Sequence, residues 1–151
     1  MDRAETLKNC ELFKQLTDEQ LLPIEKMCTE EMFQPGDIMC KQNEIEEKIY
    51  IIKEGMAGVC FELGPLSHLQ VQSIGKLGVC GWSAMIEPFR CTATVKTIKK
   101  IKALSFKGKE LYDYCSENPE VGLIITRSLT RIIGKRLREA FSQVVGIPCD
   151  I

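Results

Sequence analysis

The hydrophobic pattern changes period twice along these 151 residues, and that change limits the folds open to the chain. Between residues 33 and 106, "KIYIIKEG", "MAGVCFEL", "HLQVQSIG" and "CTATVKTIKKIKALSF" are strand-sized runs rich in β-branched and aromatic residues. Pro35-Gly36, Glu54-Gly55, Ala57-Gly58 and Gly64-Pro65 break them up. Turn signals spaced roughly 8 to 12 residues apart are the rhythm of a β-sandwich or jelly-roll barrel. Gly55 is expected to mark a turn that needs a positive φ.

Both flanks follow helical spacing instead. Leu7, Leu12, Phe13, Leu16, Leu21, Leu22, Ile24 and Met27 predict two short helices, with Thr17 or Asp18 capping the second. Beyond Phe106, a short helix is expected near 108 to 116. Asn118 then caps a long helix with Pro119 in its first turn. Val121, Ile125, Leu129 (or Ile132), Arg136 (or Leu137) and Ala140 (or Phe141) form a broad apolar stripe along it, spaced three or four apart. Gly134 permits close helix approach, and Gly146 ends the helix. The predicted class is mainly β with flanking helices: a β jelly-roll (double-stranded β-helix) barrel with N-terminal helices and a long C-terminal helix. One domain is expected, divided into a helical segment 1–32, the barrel 33–106 and C-terminal helices 107–146.

Composition removes several function classes. A formal net charge of -1 gives no global attraction to nucleic acid or anionic membrane. No apolar run approaches the roughly 20 residues of a membrane span, and "MDRAETLKNC" carries no export signal. A cytoplasmic protein is expected. Arg127, Arg131, Lys135, Arg136 and Arg138 read as a solvated helical face balanced by Glu139, without direct nucleic-acid contact. The eight cysteines include no C-x2-C pair, so free, mostly buried thiols are expected and no metal site. The single histidine, His68, reads as a loop residue and cannot build a multi-histidine metal centre. With no G-x-S-x-G or P-loop pattern, the chain is not expected to be an enzyme.

The most informative stretch is "GWSAMIEPFRCTATV", residues 81 to 95. Together with "FQPGDIMCKQNEIEEKIYIIKEGMAGV" and the order of elements, it resembles a known family. That family is the cyclic-nucleotide-binding domain of the catabolite-activator and protein-kinase regulatory-subunit superfamily, from about residue 10 to residue 142. Residues 78–95 are similar to its phosphate-binding cassette. Gly81, Ala84, Ala93, Thr94 and Val95 match the cassette, and Gly36 and Gly55 match turn glycines. The resemblance implies a pocket for a cyclic nucleotide or another phosphate-bearing ligand, with no further cofactor assigned. Backbone N–H groups of a short helix would face the phosphate, an Arg would pair with it, and a Glu would accept from the ribose.

Two departures set the specificity. Trp82 stands at the Glu position, and Cys91 at the Arg position with Arg90 one residue early. In an extended strand, a slip of one residue turns a side chain to the opposite face. Each lost charge-assisted contact costs about 1.5–3 kcal/mol, so two weaken affinity by roughly a hundredfold or more. Ordinary cyclic AMP binding is therefore not expected. The candidate ligand-binding residues are Gly81, Trp82, Ser83, Ala84, Arg90, Cys91 and Thr92. Trp82 either closes the pocket, stacks on a planar ligand or serves an interface. Ser83 either caps the short helix or meets the ligand, and Arg90 is either solvated or holds an anion.

The resemblance also implies a homodimer through the long helix, by Val121, Ile125, Ile132, Leu137 and Phe141. The alternative is a monomer whose helix folds over the cassette as a lid. Only about ten residues follow Phe141, too few for a DNA-reading unit, so an effector protein would act in trans. The expected function is a stand-alone regulatory domain sensing a small anionic ligand. The alternatives are a dimerisation or protein-interaction scaffold, and an effector domain related to catabolite-activator-type transcription regulators.

Overall fold

The computed structural model describes residues 2–146. In chain order these form α1 (Arg3–Asn9), α2 (Asp18–Met27), β1 (Thr29–Phe33), β2 (Ile38–Cys40), β3 (Lys48–Gly64), β4 (Ser67–Ile74) and β5 (Val79–Cys80). A 3-10 turn (Trp82–Met85), β6 (Thr94–Lys107), α3 (Gly108–Glu117) and α4 (Pro119–Val145) follow. The fold is mainly antiparallel β with flanking helices, and it is barrel-like with a C-terminal helix. Its central path runs β1-β6-β3-β4, with β2 added to β6 and β5 to β3.

Two long strands do most of the building. β3 pairs with β6 from Lys48↔Lys107 to Cys60↔Thr94. Period-2 alternation then sends neighbouring side chains to opposite faces. Ile49, Ile51, Leu104 and Phe106 join one core with Leu7, Phe13, Ile24, Leu111, Val121 and Ile125 from the helices. Tyr50, Ile52, Ile101 and Ala103 join the other, inside the barrel, with Met39, Val59, Ile74 and Val95. Strands covered on both faces read as continuous apolar runs, which is why "YII" carries no polar alternate.

"KIYIIKEG" and "MAGVCFEL", read as separate strands, are one. β3 passes through Gly55 at φ +101° instead of turning back there. Register shifts between Ile52 and Ala57 mark the bend. A Cβ on Gly55 would stand 2.1 Å from the Lys100 carbonyl oxygen, so close backbone approach also demands glycine. Six strands therefore make the barrel, two of them long enough to serve twice.

The boundary expected at residue 32 also moves. Thr29–Phe33 is strand β1, paired from Thr29↔Ser105 to Phe33↔Ile101. Glu30 and Glu31 favour a helix locally, but the waiting edge of β6 supplies a full ladder that outweighs this preference. Elsewhere local signals hold. Thr17 forms a capping box with Gln20 at the start of α2. Pro119 opens α4, and Gly146 ends it at φ +75°. Asn118 caps α4 by position alone, since its side-chain Nδ2 donates back to the Tyr114 carbonyl, 3.0 Å away. His68 lies within β4 opposite Glu62, not in a loop. No helix among the described residues is long and apolar enough to cross a membrane.

Two substitutions separate these causes. Gly55→Ala combines backbone strain with a clash and lowers unfolding free energy by at least about 2 kcal/mol. Gly36→Ala, at φ +94° with open space around its Cβ, carries strain alone and costs less. Thr17→Ala removes the cap and costs about 1 kcal/mol. Urea unfolding midpoints read all three, and equal midpoints for the two glycine variants would contradict this account of the bend.

Candidate functional site

The cassette turn is held from behind. Gly81 adopts φ +76°, and a Cβ there would meet the Lys48 carbonyl oxygen at 2.4 Å. The first residue of α3, Gly108, presses on Ala84, whose carbonyl oxygen lies 2.4 Å from where a Gly108 Cβ would be. Trp82–Met85 is only one 3-10 turn, capped by Gly81 without a side-chain bond. Ser83, expected as a cap or ligand contact, is buried and does not cap. The Ala84 N–H already donates to the Gly81 carbonyl at 3.0 Å, so it is not free for a phosphate.

The one-residue slip has the consequence that strand geometry dictates. Arg90 bridges to Ile45, while the Cys91 N–H donates to Glu44 O and the Asn43 N–H to Cys91 O, both at 2.9 Å. Cys91 therefore faces inward and Arg90 outward. Arg90 is exposed, and its Nη1 donates to the Asn43 carbonyl at 2.8 Å. Thr92 is exposed as well. Thr94 is tied into a structural network. It accepts from the Gln42 N–H at 3.0 Å and donates to Glu62 Oε2 at 2.9 Å. Glu62 in turn pairs with Lys41 at 2.7 Å, and that bond holds its carboxyl below the usual carboxylate range.

The cation inside the pocket comes from α4. The Arg136 guanidinium lies 4.6 Å from the centre of the Trp82 ring, a cation–π contact, and its Nη2 donates to the Val79 carbonyl. Gln72 Nε2 donates to the Arg136 carbonyl and pins this part of α4 to β4. Burial pulls the Arg136 pKa below the ordinary arginine value, an effect partly offset by Cys80, Glu139 and Glu11. Among the described residues no carboxylate stands within ion-pair distance of it. What is left beside Gly81, Trp82, Ser83, Thr92 and Ala93 is a cavity of about 30 Å³, room for about one water. Sequence reasoning missed this role. The available signal was position: Arg136 follows Ile125, Leu129 and Ile132 on the inward stripe of α4.

The expected helix face divides in two. Val121, Ile125 and Ile132 are buried in the chain's own core and are not available to a partner. Leu137 is 53% exposed and Phe141 62%. Val144 and Val145 continue the exposed apolar end at 66% and 63%. Of the five basic residues read as a solvated face, Arg127, Arg131, Lys135 and Arg138 are exposed, but Arg136 is not part of it: it is half-buried and turned onto Trp82.

The cysteine expectation fails at two positions. Cys40 and Cys91, 51 residues apart in sequence, form a disulfide with Cα atoms 6.4 Å apart. The cause is topological: β2 lies along β6, and the loop before β6 is bonded to residues 43 and 44, so two distant cysteines meet. Cys10, Cys28, Cys60, Cys80 and Cys115 are free, and Cys149 lies outside the described residues. Burial pushes the Cys80 thiol up to about 12 and Cys10 and Cys115 up to about 11, which leaves them poor nucleophiles.

The comparisons agree with this geometry. The cyclic nucleotide-binding domain family matches residues 30–118, more than half of the chain. The mouse cyclic nucleotide-gated channel alpha-4 is 21% identical over 138 residues, covering 89% of this chain and 23% of the channel, so the chain spans about a quarter of that relative. A cyclic nucleotide-binding domain from Methylobacillus flagellatus superposes with a TM-score of 0.81 at 14% identity, covering 98% of this chain and 83% of that one. The Thermus thermophilus catabolite activator protein gives 0.72 at 16% identity, covering 89% and 61%. With its cassette turn, doubly covered strands and C-terminal helix in place, the chain belongs to the cyclic nucleotide-binding domain family.

Proposed function

We propose that this chain is a non-catalytic regulatory domain that senses a small anionic ligand and does not bind cyclic AMP in the ordinary way. The observation that carries this reading is Arg136. A cation partly withdrawn from water, without a carboxylate partner among the described residues, stands in the pocket where the family's cassette faces phosphate. Buried charge is costly unless paired, so an anion entering beside Trp82 gains a ready partner. Arg90 points away and Trp82 offers no acceptor to a ribose, so the family's usual pair of contacts is missing. A cavity of about 30 Å³ also excludes a whole nucleotide unless Arg136 and its helix move.

Signalling follows from the same placement. Arg136 belongs to α4, so an anion that draws its guanidinium from the Val79 carbonyl biases where α4 lies. The ligand shifts the equilibrium by its differential affinity for the two arrangements. An effector in trans would read the helix, as would a second copy of the chain in a homodimer.

A second reading is a dimerisation or protein-interaction scaffold with an unused pocket. The exposed apolar end of α4, from Leu137 to Val145, favours it. A thermal unfolding panel with cyclic AMP, cyclic GMP, cyclic dinucleotides and inorganic phosphate separates the two. On the sensor reading, one phosphate-bearing compound at 100 times its dissociation constant stabilises the fold by about 2.7 kcal/mol. Arg136→Ala removes that shift and Arg90→Ala leaves it. Sub-micromolar cyclic AMP binding by the unmodified chain contradicts the reading. No shift with any compound, together with a dimer in sedimentation that Phe141→Asp splits, replaces it with the scaffold.

A further inference from the structure

Cys40, Glu46 and Cys91 reach one point from three segments: the end of β2, the turn before β3 and the loop before β6. A donor atom from each lies within 4.8 Å of the others, and all three residues are buried. Among the described residues no other group of three His, Cys, Asp or Glu side chains is gathered in this way.

The carboxylate shows what the cluster is for. Glu46 Oε1 accepts from the N–H groups of Glu47 and Lys48, both at 3.0 Å. Oε2 is thereby aimed at Cys91 Sγ, 3.7 Å away. A disulfide sulfur carries no proton, so in the paired state Oε2 faces a group that cannot donate to it. No lysine, arginine or histidine forms an ion pair with Glu46 among the described residues. A buried carboxylate oxygen left in that position is costly, and a cation shared with the two sulfurs removes the cost.

We propose that Cys40, Cys91 and Glu46 form a redox-gated site for zinc(II), open when the cysteines are reduced and closed when they pair as a disulfide. Two thiolates and a carboxylate are the donors of a three-ligand zinc site, with water in the fourth position. Thiolate ligands select zinc over magnesium or calcium. Cys40 also lines the residual cavity, which has room for about one water. Oε1 held by two amides orients the ligating oxygen, the job that outer hydrogen bonds perform at metal sites.

The chemistry balances. A dithiol reductant breaks the S–S bond, passes two electrons and two protons to Cys40 and Cys91, and leaves as its own disulfide. Zinc then displaces the two thiol protons. The sulfurs separate from about 2.0 Å in a disulfide to about 3.8 Å across a zinc ion with 2.3 Å bonds. Rotation about the cysteine side chains supplies that distance while the 2.9 Å backbone bonds of Cys91 stay in place.

The test uses tag-free full chain, reduced with dithiothreitol, desalted without oxygen and titrated with zinc against a chromophoric chelator. The reduced chain takes one zinc, and the oxidised chain takes none. Glu46→Gln, which keeps the acceptor for the two amides, and Cys91→Ser each weaken binding by about tenfold or more. Cobalt(II) added to the reduced chain gives a near-ultraviolet sulfur-to-metal charge-transfer band that the Cys40→Ser/Cys91→Ser double variant lacks. Failure of the reduced chain to compete for zinc or to show the cobalt band overturns the proposal. So does zinc binding that survives in the double variant, since the metal would then sit on other thiols. Should a variant fail to fold, the unmodified chain in its disulfide-paired form still decides: its other thiols stay free, so a cobalt band there overturns the proposal.

Discussion

β3 and β6 pair along almost their whole length, and the paired ribbon is covered on both sides. Every other element takes its place from that ribbon. β1 and β2 add to β6, β4 and β5 add to β3, and the helices cover the face that carries Ile49, Ile51, Leu104 and Phe106. A ribbon of this length fits a small barrel only if it bends. Gly55 supplies the bend, because any Cβ there would run into the Lys100 carbonyl. The cassette turn is one consequence, wedged between the start of β3 at Gly81 and the start of α3 at Ala84. The lie of α4 is another, since Val121, Ile125 and Ile132 fix it to the helical core before Arg136 reaches the pocket.

The pocket's side chains depart from the pattern that the family resemblance implies, while the fold persists. Where the resemblance implies a Glu for the ribose and an Arg for the phosphate, this chain has Trp82 and Cys91. Strand pairing turns Arg90 outward and Cys91 inward, so Arg90 brings no cation into the pocket. α4 supplies a guanidinium from the other side, with the Trp82 ring as its seat. The two changes complement each other: an indole is a poor partner for a ribose hydroxyl and a good one for arginine. The same inward turn of Cys91 brings it to Cys40 and Glu46, so one register choice shapes both the pocket beside Trp82 and the sulfur cluster.

What was legible in the sequence is what is encoded locally. Thr17 with Gln20, Pro119, Gly55 and Gly146 each announce a conformation that their neighbours cannot veto. The cassette was legible because glycine and alanine are demanded there by close backbone approach. Long-range pairing was not. Thr29–Phe33 looked helical because its strand partner lies about 70 residues away in the register Thr29↔Ser105. The Cys40–Cys91 contact arises only when β2 is laid beside β6. Arg136 was visible as one of several arginines on a helix, and only the rotation of α4 against the barrel separates it from Arg131 or Arg138, which point to solvent.

The most direct measurement of the central claim uses the chain's single tryptophan, Trp82. Acrylamide quenching of its fluorescence compares the unmodified chain with Arg136→Ala. If the guanidinium covers the indole and closes the pocket, the variant's tryptophan becomes more accessible: quenching rises and emission moves to longer wavelength. Identical quenching and emission in the two proteins would contradict the account, because Trp82 would then be shielded by something other than Arg136.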